Sequence, residues 1–157
     1  MEFSDEVLDF FKGRKIVLVM TFDEEGSIHS AVKGIVQIER EGKIVIVDLY
    51  CGRTLRNLQR EPRVSVAAID EEHFIGYTLQ GKAKIIPQWE IHKSFIEKWQ
   101  DHLVARISER VISSVRRGRK SKEIFEAHFP QHPKHLIEIE VENIINLSVR
   151  LEHGQPF

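Results

Sequence analysis

One short segment of the chain gathers the side chains best suited to bind an anion. Residues 48–62 read DLYCGRTLRNLQREP, and after the single cysteine, Cys51, they carry Arg53, Thr54, Arg56 and Arg60. Gly52 permits a sharp turn, and Thr54 is placed to cap a helix over residues 55–60. Free backbone N–H groups at a helix N-terminus bind phosphate well when a guanidinium lies beside them. The spacing therefore predicts a phosphate-binding turn, with a solvated helix face as the alternative.

Other groups with chemical potential are less well arranged. The stretch HFPQHPKH brings three imidazoles together, but two prolines interrupt it and no carboxylate or cysteine completes a ligand set; these are His128, His132 and His135. We expect a structural loop there and no metal site. Cys51 has no evident base nearby, so we expect it to be a small buried side chain or to line a pocket, and not to act as a nucleophile. Without a Ser-His-Asp, GxGxxG or Walker pattern, any chemistry is expected to rest on a bound cofactor.

Composition limits the class of protein. The chain has 157 residues, 41% of them hydrophobic and 30% charged, with a net charge of -1. These values predict one globular domain over residues 1–157 and argue against a nucleic-acid partner attracted by overall charge. One cysteine cannot form an internal disulfide, which predicts a reducing, cytoplasmic location. No apolar run is long enough to span a bilayer, so we expect no membrane partner.

The order of elements predicts how these groups are positioned. Ser4 caps a short helix over residues 5–12, and Gly13 ends it. Short turns separate β-rich runs, which predicts antiparallel pairing in a closed or nearly closed barrel. The predicted strands cover residues 15–22, 27–39 with a bulge or close approach at Gly34, 43–50, 63–70 and 73–86.

A helical insertion interrupts this series. Pro87 ends the strands, and apolar residues at four-residue steps predict helix over about residues 88–115, with a break near 100–102. A charged loop and a second short helix over residues 121–129 complete the insertion. The closing segment is predicted as two strands divided at Glu142–Asn143. The predicted fold class is a mainly β, six-to-seven-stranded antiparallel split β-barrel with a helical insertion at about 88–129.

The ordered series from about residue 15 to residue 86 resembles the FMN-binding split β-barrel. This superfamily contains pyridoxine/pyridoxamine phosphate oxidase and small flavin-binding relatives. The resemblance rests on VMTFDEEGSIHSAVKGIVQI, KIVIVDLYCGRTLRNLQREPRVSV and GYTLQGKAKII. It implies bound FMN and a homodimer with two flavin sites at the interface.

The resemblance also assigns expected contacts residue by residue. The turn after the third predicted strand would hold the FMN phosphate through Gly52, Arg53 and Thr54, with Asn57 turned toward the flavin. The second strand would lie against the ring with Ser30, Ala31, Val32 and Lys33. The ribityl and ring region would be lined by Asp48, Leu49 and Tyr50.

Two departures from the family pattern shape the expected function. Many relatives have a lysine where this chain has Thr54, so one charge contact to the phosphate is either missing or replaced by Arg56. The C-terminal substrate clamp of true pyridoxamine phosphate oxidases is not evident, so vitamin B6 synthesis is not expected. Lys33 is expected near N1 of the flavin, where a cation stabilises the reduced form. The alternative for Lys33 is an outward-facing surface lysine.

The expected activity is that of a flavin-dependent oxidoreductase or flavin reductase, with a small-molecule substrate or a nicotinamide nucleotide as partner. One alternative is non-enzymatic, a flavin carrier, storage protein or sensor. Another keeps the barrel and changes the ligand to a deazaflavin coenzyme or haem. The visible spectrum of the purified protein separates these hypotheses.

Overall fold

Seven strands and two short helices make up most of the computed structural model, which describes residues 1–14, 16–48, 52–97, 99–101 and 133–148. In chain order the elements are α1 (Asp5–Lys12), β1 (Val17–Phe22), β2 (Ile28–Lys33), β3 (Ile35–Glu39), β4 (Lys43–Asp48), α2 (Arg53–Arg60), β5 (Arg63–Asp70), β6 (Ile75–Pro87), a 3-10 turn (Gln88–Glu90) and β7 (His135–Asn146). Residues 93–97 and 99–101 are helical. Among the described residues, no helix is long and apolar enough to cross a membrane.

The strands form one antiparallel sheet in the order β2-β1-β5-β6-β7-β4-β3. β2 and β3 lie at opposite margins of this order, yet only Gly34 separates them in the chain. The two margins must therefore approach each other, and the sheet curls into a split β-barrel. This confirms the predicted fold class. The single strand predicted over residues 27–39 is wrong, because its halves pair with different neighbours.

The core fills the inside of the curled sheet. Alternate residues of the strands point inward, as in β1, where Val17 and Val19 are buried and Leu18 is exposed. α1 closes part of this core with Val7, Leu8 and Phe11, and it has the predicted Ser4 cap and Gly13 end. The predicted bounds of α1 are confirmed.

A second apolar cluster lies on the outer side of the sheet. Val45, Val47 and Leu136 project outward there and pack under Trp99, with Phe95 beside them. The described part of the predicted apolar stripe, which is Ile91, Phe95 and Trp99, therefore packs on the sheet. The helix starts later than predicted, because residues 88–90 form only a 3-10 turn and helix is described from residue 93. Of the predicted break near residues 100–102, residues 100 and 101 are helical and residue 102 lies outside the described residues. The predicted helix at 121–129 also lies outside them.

A bulge bends β7 where two strands were predicted. The predicted division is wrong, because His135–Asn146 is one continuous strand. Gln80 pairs with Asn143 and Gly81 with Val141, so Glu142 is an extra residue opposite β6. A Cβ at Gly81 would lie 2.0 Å from the Glu140 carbonyl oxygen, so only glycine allows this approach.

Candidate cofactor-binding site

The N-terminus of α2 offers a positive, uncapped helix end. The helix begins at Arg53 with Gly52 as its N-cap, and no side chain of the described residues bonds to the cap position. The prediction that Thr54 caps the helix is wrong, because Thr54 is already the second helical residue and its side chain is buried. The first turn contains no acidic residue. The positive end of the helix dipole is therefore not balanced from within the helix.

The three arginines of α2 take different positions. Arg60 reaches the turn after β1, where its guanidinium donates to the carbonyl oxygen of Phe22 at 2.7 Å and to that of Asp23. Arg53 and Arg56 are exposed on the helix surface. Arg60 thus fixes α2 to the β1–β2 turn, while Arg53 and Arg56 remain accessible to a ligand.

Gly52 leaves open space at the start of α2. A Cβ added there would meet no atom of the described residues within 4 Å, apart from its own chain neighbours. The backbone N–H groups of the first turn, the positive helix end and the exposed Arg53 suit a phosphate, which carries about two negative charges and several acceptor oxygens. The donor set of the described residues fits the phosphate of FMN.

Asn57 faces the inside of the barrel. Its side-chain nitrogen donates to the Thr21 hydroxyl at 3.0 Å, and both residues are buried. The pair ties α2 to β1 through a satisfied polar contact in an apolar core. Its assignment to the flavin stays a prediction. Thr21 was missed at the sequence level, although a threonine in the apolar run VLVMTF is a visible signal.

The ring-facing residues expected in β2 divide between the two faces of the strand. Ser30 and Val32 are exposed on the outer face, whereas Ala31 and Lys33 are half-buried on the other. The Lys33 ammonium lies 2.8 Å from the Asp48 Oδ1 atom. The side chain of Lys33 is 14% exposed and that of Asp48 is 0% exposed. Lys33 is therefore not an outward-facing surface lysine.

Ten of the twelve predicted contact residues lie in the described part of the chain; Leu49 and Tyr50 do not, and neither does Cys51. Lys33 and Asp48 are in contact, and Asp48 lies four residues before Gly52 in the chain. No cluster of three or more metal-ligating side chains occurs among the described residues. His128 and His132 lie outside that part of the chain, and His135 begins β7 opposite Asp48.

A separate cavity of about 310 Å³ opens between the strands. None of the twelve predicted contact residues lines it. Its lining comes from β1, β2, β5, β6 and β7 and the end of the β1–β2 hairpin: Met20, Thr21, Phe22, Ile28, Arg63, Val64, Ser65, Gln80, Gly81 and Glu142. The Arg63 guanidinium lies over the Phe22 ring at 5.0 Å and is bonded to Glu61. This cavity and the end of α2 are distinct features.

The fold places the protein among the split β-barrels, and the comparison with protein families agrees with this class. The chain belongs to the pyridoxamine 5'-phosphate oxidase family, whose model matches residues 3–148. No curated protein matches the chain.

Solved structures share this fold at low identity. HupZ of Group A Streptococcus is 19% identical with a TM-score of 0.65, covering 93% of this chain and 94% of its own. A Clostridium acetobutylicum protein of the pyridoxinephosphate oxidase family, related to general stress protein 26, is 16% identical with a TM-score of 0.59 over 92% of each chain. HutZ, the haem storage protein of Vibrio cholerae, is 20% identical with a TM-score of 0.57, covering 98% of this chain and 100% of its own. Identities this low support the fold alone.

Proposed function

We propose that the protein binds FMN and acts as a flavin-dependent oxidoreductase or flavin reductase. The observation that carries the proposal is the open N-terminus of α2, with Arg53 exposed beside it. Membership of the pyridoxamine 5'-phosphate oxidase family supports the cofactor class. Bound FMN would supply two-electron transfer, with a nicotinamide nucleotide or another small molecule as partner. A reducing cytoplasm is the proposed location, since the chain has one cysteine.

Different residues of the chain bind the phosphate and the ring system of FMN in this proposal. Arg53, Arg56 and the N–H groups of the first turn of α2 hold the phosphate. β2 lies against the ring system, and Lys33 with Asp48 provides the polar groups beside it. Thr54 contributes through its backbone, because its side chain is buried. The absence of a lysine at this position is offset by Arg56.

Two absorption measurements test this proposal. The purified protein, loaded with FMN and freed of excess ligand, is expected to show the flavin bands near those of free FMN. Addition of NADH or NADPH under anaerobic conditions should bleach these bands. Retained bands that do not bleach would instead support a carrier, and a colourless protein that rejects FMN would overturn the proposal.

We also propose that two copies form a homodimer through the outer face of β2, β1, β5, β6 and β7. One cross-strand row on this face joins Val32, Leu18, Ala67, Thr78 and Ile145 in register. Val32 is 65% exposed, and Leu18 and Ile145 are also exposed. Four of these five residues are apolar, and an exposed apolar patch on a sheet face is typical of a protein interface.

The oligomeric state tests the homodimer directly. Ile145→Glu places a charge within the row and is expected to convert a dimer into a monomer in light scattering coupled to gel filtration. Trp89→Glu is the matched control, because Trp89 is exposed on the 3-10 turn and lies outside the row. A wild-type protein that elutes as a monomer would contradict the proposal.

Haem is the second candidate ligand. The fold similarity to HutZ, a haem storage protein, extends over 98% of this chain and the whole of HutZ. This likeness motivates a haem titration beside the FMN titration. A Soret band that survives gel filtration, together with failure to retain FMN, would favour haem storage over flavin chemistry.

A further inference from the structure

The Lys33–Asp48 ion pair joins two strands that are far apart in the order of the sheet. β2 is the marginal strand, and β4 is the sixth strand counted from it. Each of the two residues is the last of its strand, and Asp48 precedes the segment that leads to Gly52 and Arg53. The pair therefore ties the end of β2 to the end of β4, and the end of β4 lies four residues before Gly52 in the chain.

The burial of the pair determines its electrostatic effect on a neighbouring ligand. The carboxylate has no solvent exposure and the ammonium has little, with 2.8 Å between Nζ and Oδ1. Opposite charges at this distance largely cancel at a ligand several ångströms away. A lone ammonium in the same place would exert a much stronger field, because little water is present to screen it.

We propose that Asp48 is a positioning residue that holds Lys33 at the flavin site and cancels its charge, which lowers the reduction potential of bound FMN. This inference rests on the proposed FMN binding. Oxidised FMN takes up two electrons and one proton to give FMNH⁻, so the ring gains one negative charge. An uncompensated cation beside the ring favours the reduced form, and a compensated cation does so much less.

Removal of the Asp48 carboxylate leaves the charge of Lys33 without its counter-charge. In Asp48→Asn the affinity for reduced FMN, relative to that for oxidised FMN, is expected to rise about tenfold. A tenfold rise corresponds to about 30 mV in the midpoint potential of a two-electron couple. The double variant Lys33→Met/Asp48→Asn should lose this rise, because no charge is left to act. Anaerobic redox titration against a reference dye gives the potential, and fluorescence quenching gives the affinity of oxidised FMN.

A control removes another ion-paired carboxylate, an exposed one, elsewhere in the chain. Asp5 pairs with Arg40 near the opposite end of β4, which is about 17 Å long. Asp5→Asn should leave the potential of bound FMN unchanged. If Asp48→Asn does not fold, as judged by circular dichroism, Asp48→Ser also leaves Lys33 uncompensated and replaces it in the experiment.

The outcomes separate the inference from the proposed function. If the pair were purely structural, its loss would weaken the binding of oxidised and reduced FMN equally. An unchanged midpoint potential in Asp48→Asn therefore overturns the inference. A rise that persists in the double variant also overturns it, because Lys33 would then not be its source. Failure of the wild-type protein to bind FMN overturns the proposed function, and with it the inference, before any variant is made.

Discussion

The helices α1 and α2 have the same length, but their N-termini differ in how they are capped and charged. In α1 the Ser4 hydroxyl accepts a hydrogen bond from the Val7 N–H group, and Asp5 and Glu6 lie in the first turn. In α2 the cap is Gly52, no side-chain cap bond is described, and the first residue is Arg53. α1 thus balances its own dipole, while α2 adds positive charge to a positive end.

We interpret this difference as one between a structural helix and a helix that takes part in the proposed binding of FMN. Both helices bury apolar residues against the core, so packing explains why each forms. Packing does not explain an arginine at the first position of α2, which is unfavourable for an isolated helix. A bound anion would offset that cost, and the phosphate of FMN is the anion of the proposed function.

The largest expected effect comes from reversing the charge at the start of α2. Arg53→Glu removes a charge-assisted contact worth about 1.5–3 kcal/mol and adds repulsion. FMN affinity is therefore expected to fall at least about 100-fold in a fluorescence titration. Arg40→Ala, which removes an arginine that pairs with α1, should leave the affinity within about twofold. An equal loss of FMN affinity in Arg53→Glu and Arg40→Ala would contradict the proposal that α2, and not α1, binds the phosphate.

The contact between α1 and β6 predicts a loss of stability at alkaline pH. Tyr77 donates a hydrogen bond to the Glu6 carboxylate at 2.6 Å, and this bond together with burial raises the pKa of Tyr77 to about 12 from 10.0. Between these values the unfolded chain loses the tyrosine proton while the folded protein keeps it, so the free energy of unfolding falls as the pH rises. The loss attributable to Tyr77 should reach about 2 kcal/mol at pH 11.5.

Denaturant unfolding at pH 9 and pH 11.5 measures this loss. Tyr77→Phe has no phenol to titrate and should show a correspondingly smaller decrease, since the other titrating groups are shared. Identical pH dependence in the two proteins would show that Tyr77 does not hold its proton in the folded state.

The cap of α1 should matter for stability and not for binding. Ser4→Ala removes the side-chain acceptor for the Val7 N–H group and is expected to lower the free energy of unfolding by about 1 kcal/mol. FMN affinity should not change. A Ser4→Ala protein that folds normally but loses FMN would show that α1 also takes part in the site.

The smallest expected effect on stability comes from giving α2 the cap that α1 has. Gly52 has a φ of -88° and open space around its Cβ position, so a side chain fits there. Gly52→Asp is expected to stabilise the ligand-free protein by a few tenths of a kcal/mol. The same carboxylate should weaken FMN binding, because it occupies the helix end and repels phosphate. Tighter FMN binding in this variant would contradict the assigned site.

Local features were predictable from the sequence. The cap, apolar stripe and glycine of α1 lie within ten residues, and β5 was predicted with its observed bounds. The bend in β7 was located correctly at Glu142 and misinterpreted as a break, because a bulge depends on the partner strand β6.

Contacts between distant segments were not predictable. Residues 28–33 and 35–39 read as one strand, and only the pairing of the whole sheet sends them to opposite margins. The Asn57–Thr21 bond spans 36 residues and the Lys33–Asp48 pair spans 15. Neither residue pair carries a local pattern that indicates its partner. The arginines after Gly52 were predicted as a group, but the separate role of Arg60 follows from its contact with the β1–β2 turn.

The central claim is that the N-terminus of α2 binds the phosphate of the cofactor. The most direct test compares the affinity of the wild-type protein for FMN with its affinity for riboflavin, which has the same ring and no phosphate. We predict that FMN binds at least about tenfold more tightly, as expected for loss of one or more charge-assisted contacts. Equal affinity for FMN and riboflavin would contradict the account.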